Sequence, residues 1–409
     1  MQQSKGGINF LKKQRSIYMI VDIFLNGITF SLFFYMSWMF PQEAYGKLNA
    51  LLSFLALTYV LGFSYQIYVT KVVNSRESNY RDIVSSAKRI VLVLTIPFLL
   101  LNPFLSNVLQ TTPLAVGIIG LITCIAIFLS LERGIMQGQE RFIHLAISLC
   151  IDIGIKILIV VPLLLFTSSI PLVLFSTLLG HIGAFIFCKV INKPHYELET
   201  IDELKTLRGV YLSIWSIITA QFFFSFFNSI DMVVVNWYLN EMAGIYAVTI
   251  KIGQLHLIFG TALVYLWFPK MVRSINDGTK IIKTTYKWLG IVLAFGCTIA
   301  LFYQVWVSKW LSLFLPEDYI EIQNYLGFSS LIYTFLLISV ILTNLLIAYD
   351  SKGYIKIFAC GAIVYIFLTL IFHDGLLHIM FIQLLTYLLM AILLFYHFIK
   401  LGRKEAKLQ

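Results

Sequence analysis

Charge is the scarcest feature of this sequence. Only 12% of its 409 residues are Asp, Glu, Lys or Arg, about half the share of a typical soluble domain. Acidic residues are fewer than basic ones, 20 against 30, which gives a formal net charge of +10. Such an excess can indicate a nucleic-acid partner, but the positions of the basic residues fit a membrane protein better. We therefore predict that the chain binds no nucleic acid.

The sequence also lacks the motifs of common enzyme and metal sites. Its five cysteines lie inside or at the ends of apolar segments and form no CxxC pair, which is typical of small packing residues. It contains no P-loop, GxSxG or HExxH motif, so ATP hydrolysis and common hydrolase chemistry are not indicated. We predict a protein that is not an enzyme and holds no metal or cofactor; coupling to H⁺ or Na⁺ stays open.

Long apolar segments are abundant instead. The chain is 59% hydrophobic with a mean hydropathy of +0.86, and apolar runs of about 20 residues, the length of a transmembrane helix, follow one another along it. We predict an all-α polytopic membrane protein with twelve spans. They lie at about residues 16–39, 45–69, 88–108, 114–133, 143–167, 171–189, 210–239, 243–268, 286–308, 323–349, 355–372 and 376–399.

The basic residues indicate the orientation of these spans. With the N-terminus in the cytoplasm, all but four of the 30 lysines and arginines fall in cytoplasmic segments. Lys47 and Lys309 lie on the outer side, and Lys156 and Lys251 lie within spans. This bias predicts that both termini are cytoplasmic. The first apolar stretch is long enough to span and lacks an A-x-A-like site, so we expect it to be a membrane span rather than a cleaved signal peptide.

The longest polar connection divides the chain into two halves. We predict an N-terminal six-helix bundle at residues 1–189, a cytoplasmic linker at 190–209 and a C-terminal six-helix bundle at 210–409. Outer loops are short, so no separate outer domain is expected.

The two halves share a similar outer turn. QEAYGKLNAL in the first half aligns with NEMAGIYAVT in the second, which matches Glu43 with Glu241 and Gly46 with Gly244. Repeated halves are typical of transporters, whose substrate site lies between the repeats. We therefore expect a central cavity.

The clearest functional signal lies in residues 228–256, which are predicted to form two apolar helices joined by a tight turn at Asn240–Glu241. Asp231 precedes this turn and Lys251 follows it, each about 14 Å from the turn along its helix. Neighbouring antiparallel helices would bring these opposite charges to the same depth. Ionisable residues inside a membrane usually face a partner or a water-filled cavity, so we predict a polar interior here.

Asp152 and Lys156 form a second charged group, one helical turn apart in the fifth span. We expect Lys251 and Lys156 to attract an anionic head group such as a phosphate. Asp231, Asp152 and Asn228, which shares a helix face with Asp231, are the further candidates for lining a substrate cavity.

Other roles for these charges remain open. Asp152 with Lys156, and Asp231 with Lys251, could be neutral pairs that only hold helices together. Alternatively, Asp231 and Asp22 could coordinate a coupling cation or exchange a proton. Asp22 lies near the inner end of the first span and could also reach the cytoplasmic interface.

Histidines and aromatic residues give weaker signals. We interpret His144, His181 and His256 as hydrogen-bonded helix residues rather than proton relays; His256, close to Lys251, is the best placed exception. The run FFFSFF at 222–227 is interpreted as packing against lipid, with stacking against sugar rings as the alternative.

Four stretches carry a resemblance to a known family. They are PQEAYGKLNALLS from Pro41, ERGIMQGQERF from Glu132, NSIDMVVVNWYLNEMAGIYAVTIKIGQL from Asn228 and FPKM from Phe268. In order and spacing they resemble segments of the Wzx-type oligosaccharide flippases, within the multidrug/oligosaccharidyl-lipid/polysaccharide exporter superfamily. The likeness covers nearly the whole chain.

This resemblance implies two six-helix bundles around a central cavity with alternating access. It implies a flippase that moves undecaprenyl-diphosphate-linked oligosaccharide repeat units to the outer leaflet of the bacterial cytoplasmic membrane. The product would be a surface polysaccharide such as O-antigen, capsule or exopolysaccharide, with a polysaccharide polymerase and other assembly proteins as partners. Cationic cavity residues are typical of such flippases; Lys251 and Lys156 are the candidates here, because the spans contain few arginines.

Two alternatives belong to other functional classes. The first is a cation-coupled exporter of small molecules, of the multidrug type, with Asp22 or Asp231 as the coupling residue. The second is a membrane-bound glycan polymerase or transferase, against which the short outer loops argue.

Overall fold

The computed structural model shows an α-helical chain. It describes residues 2–75, 80–193, 207–257, 260, 281–307, 310–311, 315–349 and 351–405. The longer helices of this described part are α1 Gln2–Met39, α2 Gln42–Ser75, α3 Tyr80–Val108, α4 Pro113–Gly138, α5 Phe142–Leu164, α6 Ile170–Asn192, α7 Leu207–Tyr238, α8 Ala243–Gly253, α9 Ile281–Phe302, α10 Leu326–Ala348, α11 Gly353–Ile371 and α12 Leu376–Glu405.

Ten of these helices are long and apolar enough to cross a membrane, judged by length and composition. They coincide with predicted spans one to six and nine to twelve. Helix α7 coincides with the seventh predicted span, and the predicted tight turn follows it as a short 3₁₀ segment, Asn240–Met242. The eighth predicted span begins with α8 and continues into residues outside the described part. The all-α, polytopic fold class is confirmed, and the chain is a multi-pass membrane protein.

The chain divides into two compact units. The first unit contains Met1–Pro41 and Ala50–Ser225, and the second contains Gln42–Asn49 and Phe226–Gln409. Helix α2 therefore passes from the second unit into the first after Asn49, and α7 passes from the first into the second after Ser225. The predicted bundles were instead bounded by a polar linker, most of which (residues 194–206) lies outside the described residues.

Helix α4 is central to the first unit, where it packs against α3, α5 and α6. Its N-terminus is well capped, because Thr112 Oγ1 accepts a hydrogen bond from the Ala115 N–H. Pro113 follows the cap, where its missing N–H costs nothing. A buried apolar core joins α2, α3 and α4, and includes Tyr65, Val69, Ala87, Ile127 and Leu131. This core fixes the helix on which the candidate site is built.

In the second unit, the two turns that look alike in sequence pack against each other. Asn240 Nδ2 donates a hydrogen bond to Glu43 Oε1 at 2.6 Å. Glycine permits this close approach, because a Cβ at Gly46 would lie only 2.7 Å from the backbone nitrogen of Gly244. Equivalent positions of the two sequence halves thus meet in space.

Many large apolar side chains are exposed on the helices. On α3 they include Leu92, Val93, Leu99, Leu100 and Phe104. A soluble protein rarely exposes such a surface, whereas helices that face lipid tails do so throughout.

Candidate functional site

Four helices of the first unit bring polar and charged side chains together. Arg133 on α4 donates from Nη2 to Asp152 Oδ2 on α5 at 3.0 Å, and Nδ1 of His181 on α6 lies 2.9 Å from Asp152 Oδ1. The Tyr59 hydroxyl, on α2, shares a hydrogen bond of 2.6 Å with His181 Nε2. The imidazole of His181 thus lies between the carboxylate and the phenol, and its tautomer decides whether Tyr59 or His181 is the donor. We refer to Tyr59, Arg133, Asp152 and His181 as the arginine cluster.

Neighbouring groups hold the arginine cluster in place. Arg133 Nε donates to Ser148 Oγ at 2.9 Å, and Nη2 also donates to the Ser148 backbone oxygen at 3.2 Å. Gly180 lets α6 pack closely on α5, because a Cβ there would clash with the backbone oxygen of Asp152. The side chains of Arg133 and Asp152 are each only 13% exposed, so their attraction is little screened by solvent.

A cavity of about 360 Å³ lies beside the arginine cluster. Tyr59, Arg133 and His181 form part of its wall, together with amide, hydroxyl and aromatic side chains such as Gln66 and Phe224. This volume lies within the range of sites that bind small molecules. The cavity and its lining belong wholly to the first unit.

Sequence analysis placed Arg133 at the end of the fourth span, in a cytoplasmic segment, and did not single it out as a site residue. Helix α4 continues to Gly138, and the guanidinium of Arg133 is bonded to α5. A signal for this was present, because the apolar residues Ile135 and Met136 continue beyond Arg133, and both are buried. The first unit therefore contains a bonded cation that the lysine-based analysis did not single out.

Lys156 and Asp22 also lie in the first unit. Lys156 is half-buried on α5, and its charge interacts with that of Asp152. The direct bonds of the Asp152 carboxylate, however, go to Arg133 and His181. Asp22 is half-buried on α1, and its coupling role stays a prediction.

The second unit buries a carboxylate among neutral donors. Asp231 on α7 is fully buried, and its Oδ2 accepts three hydrogen bonds. The donors are the Tyr246 hydroxyl of α8 at 2.7 Å, Gln383 Nε2 of α12 at 3.0 Å and the Tyr333 hydroxyl of α10 at 3.2 Å. We refer to Asp231, Tyr246, Tyr333 and Gln383 as the aspartate cluster.

Two predicted residues are linked to the aspartate cluster. Gln254 Nε2 donates to the Tyr333 hydroxyl at 3.0 Å and to Asn228 Oδ1 at 3.3 Å, which connects Asn228 to Asp231 through two side chains. Lys251 is half-buried on α8, and its charge attracts that of Asp231. Asp231, Asn228 and Lys251 thus lie in one polar region of the second unit.

His181 and His256 are both hydrogen-bonded helix residues, as interpreted from the sequence. Nε2 of His256 shares a hydrogen bond of 3.1 Å with Thr334 Oγ1. His181 differs in that its partners are a carboxylate and a tyrosine beside a cavity. The sequence offered no sign of this, because its partners lie on other helices.

Sequence analysis did not single out Tyr246, Tyr333 or Gln383. The tyrosines are two among 22 in the chain, and nothing in their local sequence distinguishes them. Gln383 gave the better signal, as an amide in the apolar run HIMFIQLLTYLL. A polar group inside a membrane needs a hydrogen-bond partner, so such a residue indicates a buried contact.

The two clusters offer different chemistry. The arginine cluster presents N–H donors and a hydroxyl to a cavity, with the carboxylate already bonded to two basic side chains. The aspartate cluster presents one carboxylate to neutral donors. Within the described residues, no group of three or more His, Cys, Asp or Glu side chains is placed to hold a metal ion.

No protein-family model matches the chain, and no curated protein matches it in sequence. Solved structures do match. The inward-facing conformation of a multidrug resistance MATE family transporter of the MOP superfamily matches with a TM-score of 0.71 at 12% identity, over 93% of this chain and 94% of that one. The lipid II flippase MurJ, in its inward closed conformation, matches with a TM-score of 0.70 at 12% identity, over 95% of this chain and 90% of that one. At this identity the likeness concerns the fold, and this chain shares the fold of these two transporters.

The matched MATE transporter belongs to the MOP superfamily, which is the superfamily that the sequence resemblance implied for this chain. One solved relative in fold is a multidrug transporter and another is a lipid flippase. A fold does not define a substrate, so the function of this chain has to be argued from its own polar groups.

Proposed function

We propose that this protein is a flippase for a polyprenyl-diphosphate-linked oligosaccharide, which it moves to the outer leaflet of the bacterial cytoplasmic membrane for surface polysaccharide synthesis. The observation that carries the proposal is the cavity beside the arginine cluster, whose mainly apolar wall includes the polar side chains of Tyr59, Gln66 and Arg133. A hydroxyl-rich head group needs hydrogen-bonding partners on its way through the membrane, whereas a polyprenyl tail can remain in lipid.

One further observation supports this proposal over a general export function, because the Wzx-like stretches extend along nearly the whole sequence. The fold also matches that of a lipid II flippase over 95% of this chain, which is compatible with a lipid-anchored substrate but does not separate the two functions.

The predicted residues then have distinct roles. We propose that Lys251 and Lys156 attract the diphosphate, and that Asp231, Asn228 and Asp152 shape the polar path. Asp22 and Asp231 are the candidates for coupling to H⁺ or Na⁺. Both ends of the chain would lie in the cytoplasm.

Extraction of polyprenyl-linked glycans from cells lacking the gene, followed by mass spectrometry, tests the function. We expect complete repeat units to accumulate on the inner leaflet while surface polymer is lost. Complete units that reach the outer leaflet but are not polymerised would indicate a polymerase instead. Unchanged lipid-linked glycans would contradict both functions.

The substitution Lys251→Ala tests the proposed diphosphate contact. We expect surface polysaccharide to fall about tenfold, which corresponds to the loss of about one charge-assisted interaction. Lys88→Ala is the matched control, because Lys88 is exposed on α3. Normal export by Lys251→Ala at matched membrane levels would remove Lys251 from the site.

The second candidate function is a cation-coupled exporter of small molecules. The match to MATE transporters, with a TM-score of 0.71, favours it. In this case deletion of the gene leaves lipid-linked glycans unchanged and raises sensitivity to cationic drugs, and Asp231→Asn or Asp22→Asn abolishes protection.

A further inference from the structure

The cavity of the first unit combines aromatic, amide and hydroxyl side chains with one arginine. The side chains relevant here are Tyr59, Phe63, Gln66, Arg133, Gln221 and Phe224. No carboxylate is among the lining residues, and the walls come from α2, α4, α6 and α7. These side chains determine which part of a lipid-linked head group can bind in the cavity.

Charge argues against a diphosphate at this place. Nε and Nη2 of Arg133 already bind Ser148 and Asp152, with the carboxylate at 3.0 Å. An incoming anion would have to compete with that carboxylate and would lie close to it, where like charges repel. A cation fits no better, because both oxygens of Asp152 are bound to Arg133 and His181.

Hydrogen-bonding groups of both kinds surround the cavity. Gln66 donates one N–H to Gln137 at 2.8 Å and retains a second N–H and an acceptor oxygen. Gln221 contributes another amide. Ser225 donates to the Ala56 backbone oxygen at 3.0 Å, and its oxygen can still accept. Amide and hydroxyl groups of this kind can bind the hydroxyl groups of a ligand, because each hydroxyl both donates and accepts hydrogen bonds.

Aromatic side chains supply the apolar part of the lining. Phe63 is 51% exposed and Phe224 is 38% exposed, so each has ring surface available. Tyr59 is stacked on His181, with ring centroids 5.5 Å apart and an interplanar angle of 17°, which holds the phenol in a fixed direction. Flat apolar surfaces beside amides suit a sugar ring, which has C–H groups on its faces and hydroxyls around its rim.

We propose that this cavity is a subsite for an uncharged pyranose ring of the head group, a hexose or an N-acetylhexosamine. The ring packs against Phe224 and Phe63, and its hydroxyl or acetamido groups bind the amides of Gln221 and Gln66. Tyr59 and the arginine fix the polar wall without adding net charge. This inference rests on the proposed flippase function and extends it, because it separates the sugar contacts from the diphosphate contacts.

Binding of two defined lipids to the purified full-length protein tests the subsite. The probes are undecaprenyl diphosphate and undecaprenyl diphosphate carrying one N-acetylglucosamine. We expect the wild type to bind the sugar-bearing lipid about tenfold more tightly, as one or two hydrogen bonds allow. Gln221→Leu and Phe224→Leu should each remove most of this difference and leave affinity for undecaprenyl diphosphate unchanged.

Matched variants separate binding from folding. Phe104→Leu changes an exposed phenylalanine of α3 away from the cavity and should bind both lipids like the wild type. Phe224→Tyr keeps the aromatic face and should retain the preference for the sugar-bearing lipid. Thermal unfolding of every variant is measured alongside, and Phe224→Leu and Gln221→Leu serve as independent tests.

The contrary outcomes are distinct. Equal wild-type affinity for the two lipids overturns the sugar subsite and leaves the flippase function standing. An equal loss of affinity for both lipids in Gln221→Leu and Phe224→Leu shows that the cavity holds the diphosphate and overturns the subsite. Failure of the wild type to bind either lipid overturns the proposed function and the subsite with it.

Discussion

Each unit buries an aspartate in membrane-spanning helices, and the two are stabilised in different ways. Asp152 in the first unit is bonded to Arg133 and His181, whose side chains can carry positive charge. Asp231 in the second unit accepts from Tyr246, Tyr333 and Gln383, which are neutral. One carboxylate is held by ion pairing and the other by hydrogen bonds.

The two carboxylates should respond differently when one of their bonded side chains is removed. Loss of a cation from a buried ion pair leaves an uncompensated charge, which is costly. Loss of one of three neutral donors leaves two others in place. We therefore expect the arginine cluster to be fragile to single substitutions and the aspartate cluster to be tolerant.

The largest expected effect is that of Arg133→Leu. It leaves Asp152 without its guanidinium and should lower the free energy of unfolding by about 3–5 kcal/mol, measured by SDS titration in mixed micelles. Arg133→Leu combined with Asp152→Leu should lose less than Arg133→Leu alone. The control Arg89→Leu changes an exposed arginine and should cost less than about 0.5 kcal/mol. Equal losses in the single and double variants would contradict the ion-pair interpretation.

Asp231→Asn should have a smaller effect, a loss of about 1–2 kcal/mol. The amide oxygen can still accept from the tyrosines and Gln383, although its N–H₂ group adds donors where acceptors are needed. Asp152→Asn, measured in the same way, is the reference and should cost more. The comparison between the clusters fails if Asp231→Asn is the more damaging of the two.

A double-mutant cycle measures the coupling of Asp231 with Lys251 across the second unit. If the two charges stabilise each other, Asp231→Asn with Lys251→Met should harm stability less than the sum of the single changes, with a coupling energy of about 1 kcal/mol. Additive losses would show that Lys251 and Asp231 do not stabilise each other.

The smallest effects distinguish the donors to Asp231. Tyr246 binds the carboxylate at 2.7 Å and Tyr333 at 3.2 Å, so Tyr246→Phe should cost about 1 kcal/mol and Tyr333→Phe about 0.5 kcal/mol. Thermal unfolding in detergent ranks them, with Tyr396→Phe, at an exposed tyrosine, as the control. The reverse order would mean that these distances do not reflect bond strength.

Helix positions could be predicted well from the sequence, because the length and hydropathy of a membrane span are local properties. Asp231, Lys251 and Asn228 were recognised because charged and polar residues are rare in apolar runs. Arg133 was not singled out as a site residue, because it lies close to a loop and a count of basic residues assigns it there. The helix continues beyond it to Gly138, with Ile135 and Met136 buried in the interior.

The partners of the aspartates could not be predicted in this way. Which residues meet Asp152 or Asp231 depends on how α4, α5 and α6, or α7, α10 and α12, pack together. That packing depends on features such as Gly180, which lets two helices approach closely. Nothing in the sequence distinguishes this glycine from the other glycines among the 24 in the chain. The cavity likewise arises from residues that are far apart in the chain.

The division of α2 between the units has a consequence for biosynthesis. Gln42–Asn49 belongs to the second unit, whose remaining residues begin at Phe226. During translation this segment is synthesised long before the rest of its unit. It therefore lacks its packing partners until residues 226–409 have been synthesised. The second unit therefore cannot finish folding as an autonomous late domain, and no single cut in the chain yields two fragments that each contain one complete unit and nothing of the other.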